Sequence, residues 1–249
     1  MTRLSITSPL AALRFKPTSV ATLENECLWG EQFEVDDYQN GFAHGKLSHD
    51  GYEGWVDKRS IGQMPDSNAR VIALMTHVTR HSDIKSNGLY KLSIGAHVAI
   101  LDSDKKFTKI ATPEGFGFLP SVHLSRKKKI FDDWPGVVER FYGIPYKWGG
   151  RSAFGIDCSG LVQICMNLSG HCVPRDSGPQ SSIGVALKSV DMLERGDLIF
   201  WRGHVGVMLN RKELIHANAY HMAVMSEPLA TALKRIEKEV GPITALRRP

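Results

Sequence analysis

Short runs in which apolar and polar residues alternate fill the first half of the chain. Such alternation predicts half-buried β-strands, and the glycine-containing pairs between the runs predict turns. Asn40-Gly41 is a strong signal for a two-residue hairpin, and Asp50-Gly51 and Glu114-Gly115 indicate further turns. The predicted strands cover residues 33–35, 42–44, 54–56, 97–101, 107–111 and 116–119.

The two groups of strands end in similar sequences, GYEGWVDKRSIG and GFGFLPSVHLS. In each, an aromatic residue (Trp55 or Phe118) follows a glycine, and an apolar residue and a polar stretch with a late Ile or Leu come next. Such an internal repeat predicts two small β-barrels of about 60 residues each. We assign these barrels to residues 1–65 and 66–128.

The pattern changes in the second half of the chain. Residues 130–143 predict a short helix, with Asp132 or Asp133 as the N-cap and Gly143 beyond its end, and residues 159–168 predict a second helix. Strands are predicted afterwards at residues 197–203, 204–209, 213–220 and 242–249. Helix first and antiparallel sheet afterwards is an α+β order, so residues 129–249 are expected to form an α+β domain.

Composition and charge agree with an ordinary globular protein. The chain has 249 residues, of which 42% are hydrophobic and 23% charged, and the length allows two or three domains. A net charge of +5 permits an acidic partner without requiring one. The basic run SRKKK at residues 125–129 fits either a nucleic-acid patch or a solvated linker. We favour the linker, and expect no nucleic-acid partner, because the run is short and has no interleaved aromatic residues.

No segment approaches the roughly 18 consecutive apolar residues of a membrane span, so no membrane partner is expected. The N-terminal segment lacks the continuous apolar region and cleavage site of a secretory signal, since Arg14 and Lys16 interrupt it. We therefore expect a cytoplasmic protein whose cysteines are reduced.

Cys158, Cys165 and Cys172 recur at intervals of seven residues, a spacing that raises the question of a metal site. On a helix, seven residues span about 10.5 Å. Two thiolates on one zinc ion lie at most about 4.6 Å apart. No metal and no cofactor are therefore predicted. Cys165 and Cys172 are instead expected to be small buried residues on one helix face.

Cys158 lies where a glycine-rich segment passes into the second predicted helix. The free N–H groups and partial positive charge of a helix N-terminus favour a thiolate, so the pKa of this thiol is expected to be lowered. The amide of Cys158 could donate to an oxyanion if the helix begins there. The residue therefore fits a nucleophile, and the structural alternative is a buried cysteine at a helix start.

A nucleophilic thiol needs a base, and two histidines lie on the predicted hairpin of residues 204–220. His204 and His216 are both about six residues from the turn, which would place them nearly opposite each other on paired strands. One imidazole could then orient the other. This arrangement suggests the order Cys158 as nucleophile, His204 as base and His216 as orienting residue.

Four segments in the second half resemble the NlpC-type cell-wall peptidases, papain-like cysteine peptidases that cut peptidoglycan peptides. They are YKWGGRSAFGIDCSGLVQ (146–163), VPRDSGPQ (173–180), RGDLIFWRGHVGVML (195–209) and LIHANA (214–219), and the resemblance covers residues 130–249. It implies Cys158 as nucleophile, His204 as general base and His216 as third residue. It also implies that the hydroxyl of Tyr146 lies near the thiol.

The first half resembles tandem bacterial SH3-like domains that pack against such hydrolases. The resemblance rests on LWGEQFEV (28–35) and GYEGWV (51–56). The second copy has Phe118 where tryptophan is usual, which leaves it without an assigned binding role. The expected fold is therefore α+β, with a papain-like cysteine peptidase domain preceded by two SH3-like barrels.

Peptidases of this type that carry SH3-like domains typically hydrolyse the bond between D-γ-glutamate and a diamino acid, and many require a free N-terminal L-alanine. The resemblance thus implies a dipeptidyl-peptidase VI type of activity on L-Ala-γ-D-Glu-diamino acid peptides from peptidoglycan. We expect a role in murein recycling. The alternatives are an endopeptidase on intact wall peptides, a non-catalytic wall-binding protein, and acyl transfer to an amine or lipid.

A buried substrate ammonium needs a carboxylate and neutral acceptors. Asp157 is the carboxylate that we expect to bind it, although Asp157 could equally serve as the helix N-cap. The resemblance adds Ser159 and Ser177 to this site. It also adds Tyr52 of the first barrel, which could instead belong to the barrel core.

Three further residues are candidates near the same site. Trp148 could supply an apolar wall to the pocket, and Glu31 is a weaker acidic candidate. Arg175 could meet a substrate carboxylate, or it could pair with Asp176 or a backbone carbonyl.

Overall fold

The computed structural model describes residues 2–249, and the chain divides into two compact units. The first unit comprises the residues up to Ile130 together with Arg151–Ala153. The second comprises Phe131–Gly150 and Phe154–Pro249. Three residues of the glycine-rich segment before Cys158 thus belong to the first unit.

The N-terminal part of the first unit is a seven-stranded sheet with the order β3-β2-β6-β5-β4-β1-β7. Its strands are β1 (Thr2–Ile6), β2 (Leu10–Arg14), β3 (Leu23–Leu28), β4 (Gln32–Gln39), β5 (Phe42–Leu47), β6 (Glu53–Asp57) and β7 (Ile61–Gly62). The alternating side chains of these strands form one core, in which Leu13, Phe33 and Val56 are fully buried.

The hairpin predicted at Asn40-Gly41 is confirmed between β4 and β5. Asn40 and Gly41 have φ values of 51° and 80°, and Gln39 pairs with Phe42 across the turn. Positive φ at both central residues is the requirement of a type I′ turn, which matches the twist of the flanking strands. Asn and Gly are the residues that meet it at least cost.

The rest of the first unit holds eight strands in two small sheets, ordered β10-β9-β14-β13-β12 and β11-β8-β15. They are β8 (Ala69–Val71), β9 (Met75–Thr79), β10 (Gly88–Ser93), β11 (His97–Val98), β12 (Ile100–Ser103), β13 (Phe107–Thr112), β14 (Gly115–Pro120) and β15 (Leu124–Ser125). Trp29, which directly follows β3, is fully buried in the core of this part.

The internal repeat is visible as a repeated succession of elements. Strand β6 is followed by a 3₁₀ turn at Lys58–Ser60 and by β7, and β14 is followed by a 3₁₀ turn at Ser121–His123 and by β15. Trp55 and Phe118 occupy the corresponding strands β6 and β14. The boundaries at residues 65 and 128 stay predictions, since the first unit is a single compact body.

A buried arginine joins the segment 151–153 to the first unit. Arg151 is fully buried in the short strand β16 (Arg151–Ser152), and its guanidinium meets the carboxylate of Glu31 and the backbone oxygen of Glu26. Burial alone would raise the pKa of Glu31, but the Arg151 guanidinium lowers it below its usual range. Glu31, a weak candidate for substrate binding, thus has a buried cation as its partner.

The second unit is built on a six-stranded antiparallel sheet with the order β18-β23-β19-β20-β21-β22. Its strands and helices are α1 (Trp134–Glu139), β17 (Gly155–Ile156), α2 (Cys158–Leu168), α3 (Ser177–Gln180), β18 (Val185–Ala186), β19 (Leu198–Trp201), β20 (His204–Asn210), β21 (Glu213–Asn218), β22 (Ala223–Pro228), α4 (Leu229–Glu239) and β23 (Ala245–Arg248). Helix α2 packs against β20 and β21, and α4 packs against β21 and β22. The predicted helices and strands are present, with Asp133 as the N-cap of α1.

Three features of the second unit differ from the sequence-based expectation. Strand β22 and helix α4 had not been predicted at all. The prediction of a buried Cys172 on the helix of Cys165 is wrong. Helix α2 ends at Leu168, so Cys165 is buried on it while Cys172 lies in the exposed segment that follows.

Among the described residues 2–249, no helix is long and apolar enough to cross a membrane. Within the same range, no group of three or more His, Cys, Asp or Glu side chains is arranged to hold a metal ion.

Replacing Trp29 with alanine should lower the free energy of unfolding by about 3–5 kcal/mol, because it leaves a large cavity in the second core of the first unit. Urea unfolding followed by circular dichroism measures the change. The control is Phe15→Ala, since Phe15 is 67% exposed and its loss should change stability by less than about 0.5 kcal/mol. Equal losses in the two variants would contradict the core position of Trp29.

Candidate active site

Cys158 is the first residue of α2, and the local chain is built to start a helix at that point. Asp157 is the N-cap, with extended backbone angles and a side-chain oxygen that accepts a 2.7 Å hydrogen bond from the Gly160 amide. A Cβ atom on Gly160 would lie 2.4 Å from the backbone oxygen of Gly150, so only glycine fits there. The helix begins at Cys158, which meets the condition for its amide to face an oxyanion.

Asp157 is both helix cap and ion-pair partner. Its two oxygens accept hydrogen bonds of 3.0 Å and 2.6 Å from the guanidinium of Arg175, whose side chain is 1% exposed. Arg175 also donates to the Ser159 hydroxyl at 2.9 Å. The partner of Arg175, left open by the sequence, is therefore Asp157, and the guanidinium also donates to the backbone oxygen of Gly150 at 3.4 Å. Asp157, Ser159 and Arg175 form one buried polar cluster beside the thiol.

The two histidines lie on neighbouring strands, diagonally rather than directly opposite. Strands β20 and β21 pair Val207 with Ile215, and a bulge between Met208 and Asn210 shifts the register. Continuing this register puts His216 across from Gly206, two residues from His204. Both imidazoles share one face of the sheet, and Nε2 of His204 lies 2.7 Å from Nδ1 of His216.

Two residues continue this arrangement on the elements that the sequence interpretation missed. Glu227 on β22 accepts a hydrogen bond of 2.8 Å from Nε2 of His216. Arg235 on α4 donates to the same oxygen, Oε1, at 2.5 Å. Successive hydrogen bonds thus form a continuous row of four side chains, which are His204, His216, Glu227 and Arg235.

The expectation of a lowered pKa for Cys158 is wrong for the resting protein. Burial is the largest effect and, together with the nearby Asp157 carboxylate, raises the pKa of this thiol to about 12. The amides of Val205 and Ser159 and the charge of Arg175 act in the opposite direction without overcoming it. The helix N-terminus therefore does not suffice to hold a thiolate in the buried site.

Burial also disfavours the charged form of the predicted base, His204. It lowers the pKa of His204 to about 3, with smaller contributions from His216 and Arg235, while Glu227 opposes the shift. A thiol with a raised pKa and an imidazole with a lowered pKa both rest uncharged at neutral pH. The predicted transfer of a proton from Cys158 to His204 would therefore have to be driven within the reaction.

Tyr146 and the two histidines line one cavity of about 200 Å³, which also borders Asn218 and Tyr220. Tyr146 is half-buried. Burial and the proximity of Cys158 and Asp157 raise its pKa to about 12, so its hydroxyl remains a hydrogen-bond donor. The ring of Trp201 lies near the imidazole of His204, with ring centroids 5.8 Å apart and an interplanar angle of 34°.

The remaining residues that the sequence predicts for the site lie on separate elements. Ser177 begins the short helix α3, whose Gln180 donates to the backbone oxygen of Ser159 at 3.0 Å. Trp148 lies in the loop before β17 and is 64% exposed. Tyr52 is half-buried in the first unit and packs against the first barrel core. The binding roles of these three residues stay predictions.

Comparisons with known proteins identify the family of the chain. The model of the NlpC/P60 family matches residues 143–235, and the model of the bacterial dipeptidyl-peptidase Sh3 domain matches residues 13–61. The probable endopeptidase NlpC of Escherichia coli is 30% identical over 107 residues, which cover 40% of this chain and 69% of that protein. The chain belongs to the NlpC/P60 family.

Relatives that match a larger part of the chain are dipeptidyl-peptidases. A gamma-D-glutamyl-L-lysine dipeptidyl-peptidase of Bacillus cereus is 28% identical over 247 residues, covering 86% of this chain and 73% of the relative. The dipeptidyl-peptidase 6 of Lysinibacillus sphaericus is 27% identical over 232 residues, covering 84% of this chain and 85% of that protein.

Solved structures confirm the fold. An NlpC/P60 family protein from Bacillus cereus superposes with a TM-score of 0.86 at 23% identity and covers 99% of both chains. An NlpC/P60 endopeptidase from Photobacterium damselae gives 0.64 at 15% identity, covering 98% of this chain and 70% of that one. The predicted α+β fold, a papain-like peptidase domain preceded by SH3-like barrels, is confirmed.

An NlpC/P60 domain with this geometry is a cysteine peptidase. The matched residues 143–235 contain Cys158, His204 and His216, and they also contain the two functional candidates that sequence reasoning missed. The signal for those two was present. The apolar residues after position 228 follow the spacing of an amphipathic helix; they are Leu229, Ala232, Leu233, Ile236 and Val240. This pattern would have placed Arg235 on a helix and Glu227 just before it.

Replacing Arg175 with methionine should lower the free energy of unfolding by about 3–5 kcal/mol, because Asp157 would stay buried without its cation. Thermal unfolding followed by circular dichroism would measure the loss. Arg195→Met is the matched control. Arg195 also bonds two carboxylates, of Asp133 and Glu139, but its side chain is 38% exposed, so the loss should be about 0–1 kcal/mol. Similar losses in both variants would rule out a special role of the buried pair.

Proposed function

We propose that this peptidase hydrolyses the γ-D-glutamyl–diamino acid bond of peptidoglycan stem peptides that carry a free N-terminal L-alanine. The observation that carries the proposal is the thiol of Cys158 at a helix start, whose Sγ lies 4.0 Å from the backbone oxygen of Gly203, the residue before His204. His204 in turn contacts His216, and Arg175 reaches Asp157 and Ser159 at the first turn of the helix. The names of the Bacillus relatives, which are gamma-D-glutamyl-L-lysine dipeptidyl-peptidases, support the bond that we propose.

The reaction follows the acyl-enzyme route of cysteine peptidases. The thiol proton of Cys158 moves to His204 while the sulfur bonds to the γ-carbonyl carbon of D-glutamate. The amide of Cys158 and the hydroxyl of Tyr146 donate to the oxyanion. The C–N bond then breaks, and His204 returns its proton to the leaving amine. Water, deprotonated by His204, cleaves the thioester and restores the thiol.

The leaving diamino acid must lie next to the group that protonates its amine. The cavity of about 200 Å³ borders His204 and Tyr146, and it is therefore the space that we assign to this part of the substrate. Asn218 and Tyr220 on its wall offer polar groups to the diamino acid. Rates measured on the diaminopimelate peptide and on the lysine peptide would show which diamino acid is preferred.

We assign the substrate ammonium to the Asp157 cluster. Asp157 is already paired with Arg175, and an ion pair alone attracts a further cation weakly. The neutral oxygens of Ser159 and Ser177 would have to supply part of the recognition. Recognition of a free amine by several acceptors penalises an acylated N-terminus strongly.

Wild-type protein should release L-Ala-D-Glu from L-Ala-γ-D-Glu-meso-diaminopimelate, and Cys158→Ala should reduce the rate to the uncatalysed background. Product formation is measured by liquid chromatography and mass spectrometry. Cys172→Ala is the control, because Cys172 is exposed and lies outside α2. The proposal fails if the wild type and Cys158→Ala release the same amount of dipeptide, or if neither releases any.

N-acetylation of the L-alanine should lower kcat/KM by a factor on the order of 100 or more, because the acetylated nitrogen leaves the acceptors of the pocket unpaired. Rates on the free and acetylated peptides, otherwise identical, measure the effect. Equal rates would favour the second candidate function, an endopeptidase on intact wall peptides, which the similarity to the probable endopeptidase of Escherichia coli supports.

A role in murein recycling and a cytoplasmic location complete the proposal. Both were expected from the sequence, and both stay predictions. Cell fractionation with an antibody against the chain tests the location directly.

A further inference from the structure

Glu227 and Arg235 stand behind the two histidines, and neither touches the thiol. We propose that Glu227, held in place by Arg235, fixes the tautomers of His216 and His204 and thereby leaves Nδ1 of His204 bare to accept the proton of Cys158. Glu227 and Arg235 are positioning residues in this scheme. The inference rests on the proposed proton transfer from Cys158 to His204, but it concerns a property of the resting protein that needs no substrate.

The sheet places the three side chains in a diagonal row. His216 on β21 is directly opposite Met225 of β22, and Glu227 lies two residues further along that strand, on the same face. His204 is displaced by two residues in the other direction on β20. The row therefore crosses three adjacent strands, and each neighbouring pair meets at 2.7 or 2.8 Å.

The proton positions follow from the end of the row. Burial alone would raise the pKa of Glu227, but hydrogen bonds from His216 and Arg235 lower it to about 2, so the carboxylate is ionised and only accepts. Nε2 of His216 must then carry the proton of the 2.8 Å contact.

The proton on Nε2 of His216 also determines which nitrogen of His204 is protonated. Burial lowers the pKa of His216, so the ring is neutral and has only one N–H. Its Nδ1 is consequently an acceptor, and the 2.7 Å contact must receive its proton from Nε2 of His204. A neutral His204 that is protonated at Nε2 has a bare Nδ1. The bare nitrogen is the one not engaged with His216, and it is the one that can act as base.

Arg235 maintains the first link of this row. It donates at 2.5 Å to the oxygen of Glu227 that also meets His216. It is held in turn by Glu239 at 3.3 Å and stacks on the ring of Tyr220 at 4.3 Å. An arginine cannot accept a hydrogen bond, so the group it contacts at this position must present an oxygen.

The other charged and titratable groups around the row do not reverse this assignment. His221, in the turn before β22, lowers the pKa of His216, and Arg235 on α4 lowers the pKa of both histidines. Both effects keep the imidazoles neutral, as the assignment requires. Glu227 acts in the opposite sense and stabilises an imidazolium once the proton of Cys158 has arrived.

Two substitutions of Glu227 separate its accepting oxygen from its charge. Glu227→Ala removes the acceptor, so the tautomers are no longer fixed, and kcat should fall by a factor on the order of 10²–10⁴ with KM within about threefold of the wild type. Glu227→Gln keeps an acceptor, because Arg235 holds the amide oxygen where Oε1 lies. Its kcat should fall by no more than about tenfold.

The matched control is Glu139→Gln, which removes a carboxylate on α1 from a different arginine, Arg195, outside the cavity. Its kcat should stay within about threefold of the wild type. The proposal is overturned if Glu227→Ala also stays within threefold. It is likewise overturned if Glu227→Gln loses as much as Glu227→Ala, since charge alone would then account for the effect.

The imidazole ¹⁵N chemical shifts of the wild-type protein test the tautomers directly, with His204→Gln and His216→Gln for assignment. We expect both neutral rings to be protonated at Nε2. A proton on Nδ1 of His204 in the resting protein would overturn the proposal, even if Glu227→Ala fails to fold.

The rate of alkylation of Cys158 by iodoacetamide gives a second measurement without peptide, in a Cys172→Ala background. It should fall in Glu227→Ala and not in Glu139→Gln, and equal rates in the two variants would contradict the proposal. Because the spectra and the alkylation need no substrate, a wrong substrate assignment and a wrong tautomer assignment give distinguishable results.

Discussion

The buried ion pair between Asp157 and Arg175 holds the start of the catalytic helix. Both oxygens of Asp157 bond the guanidinium, and one of them also caps α2 at the Gly160 amide. Since Gly160 lies against the backbone of Gly150, the glycine-rich loop and the first turn of the helix are locked together. The thiol of Cys158 is thereby fixed at the helix N-terminus. The predicted base and oxyanion donors must be positioned relative to this sulfur.

Burial sets the electrostatics of this site. It disfavours the thiolate of Cys158 and the imidazolium of His204 alike, so the resting pair is uncharged. The charges needed for reaction must be stabilised by fixed groups when they form. Helix amides and Arg175 lie on the side of the sulfur, while Glu227 lies behind the imidazoles. On each side a second group opposes this stabilisation, Asp157 at the thiol and Arg235 at His204.

Much of the local structure was predictable from the sequence. Asn40-Gly41 formed its hairpin, Cys158 began its helix, and His204 and His216 came together on neighbouring strands. Each of these depends on residues close in the chain. The exact pairing of the two histidines differed from the prediction, because His204 lies six residues before Asn210 whereas His216 lies only three after its partner Glu213, and the bulge between Met208 and Asn210 takes up one of those residues.

By itself, the sequence determined the fold class and predicted Cys158 as nucleophile with His204 and His216 as its partners, because turn propensity, strand alternation and helix-start chemistry act over a few residues. Only the tertiary structure decided which charges meet. Arg175 reaches Asp157 from 18 residues away, and Arg151 enters the first unit to meet Glu31 from 120 residues away. The raised pKa of Cys158 is likewise a consequence of packing, since burial depends on what covers a side chain and not on its neighbours in the chain.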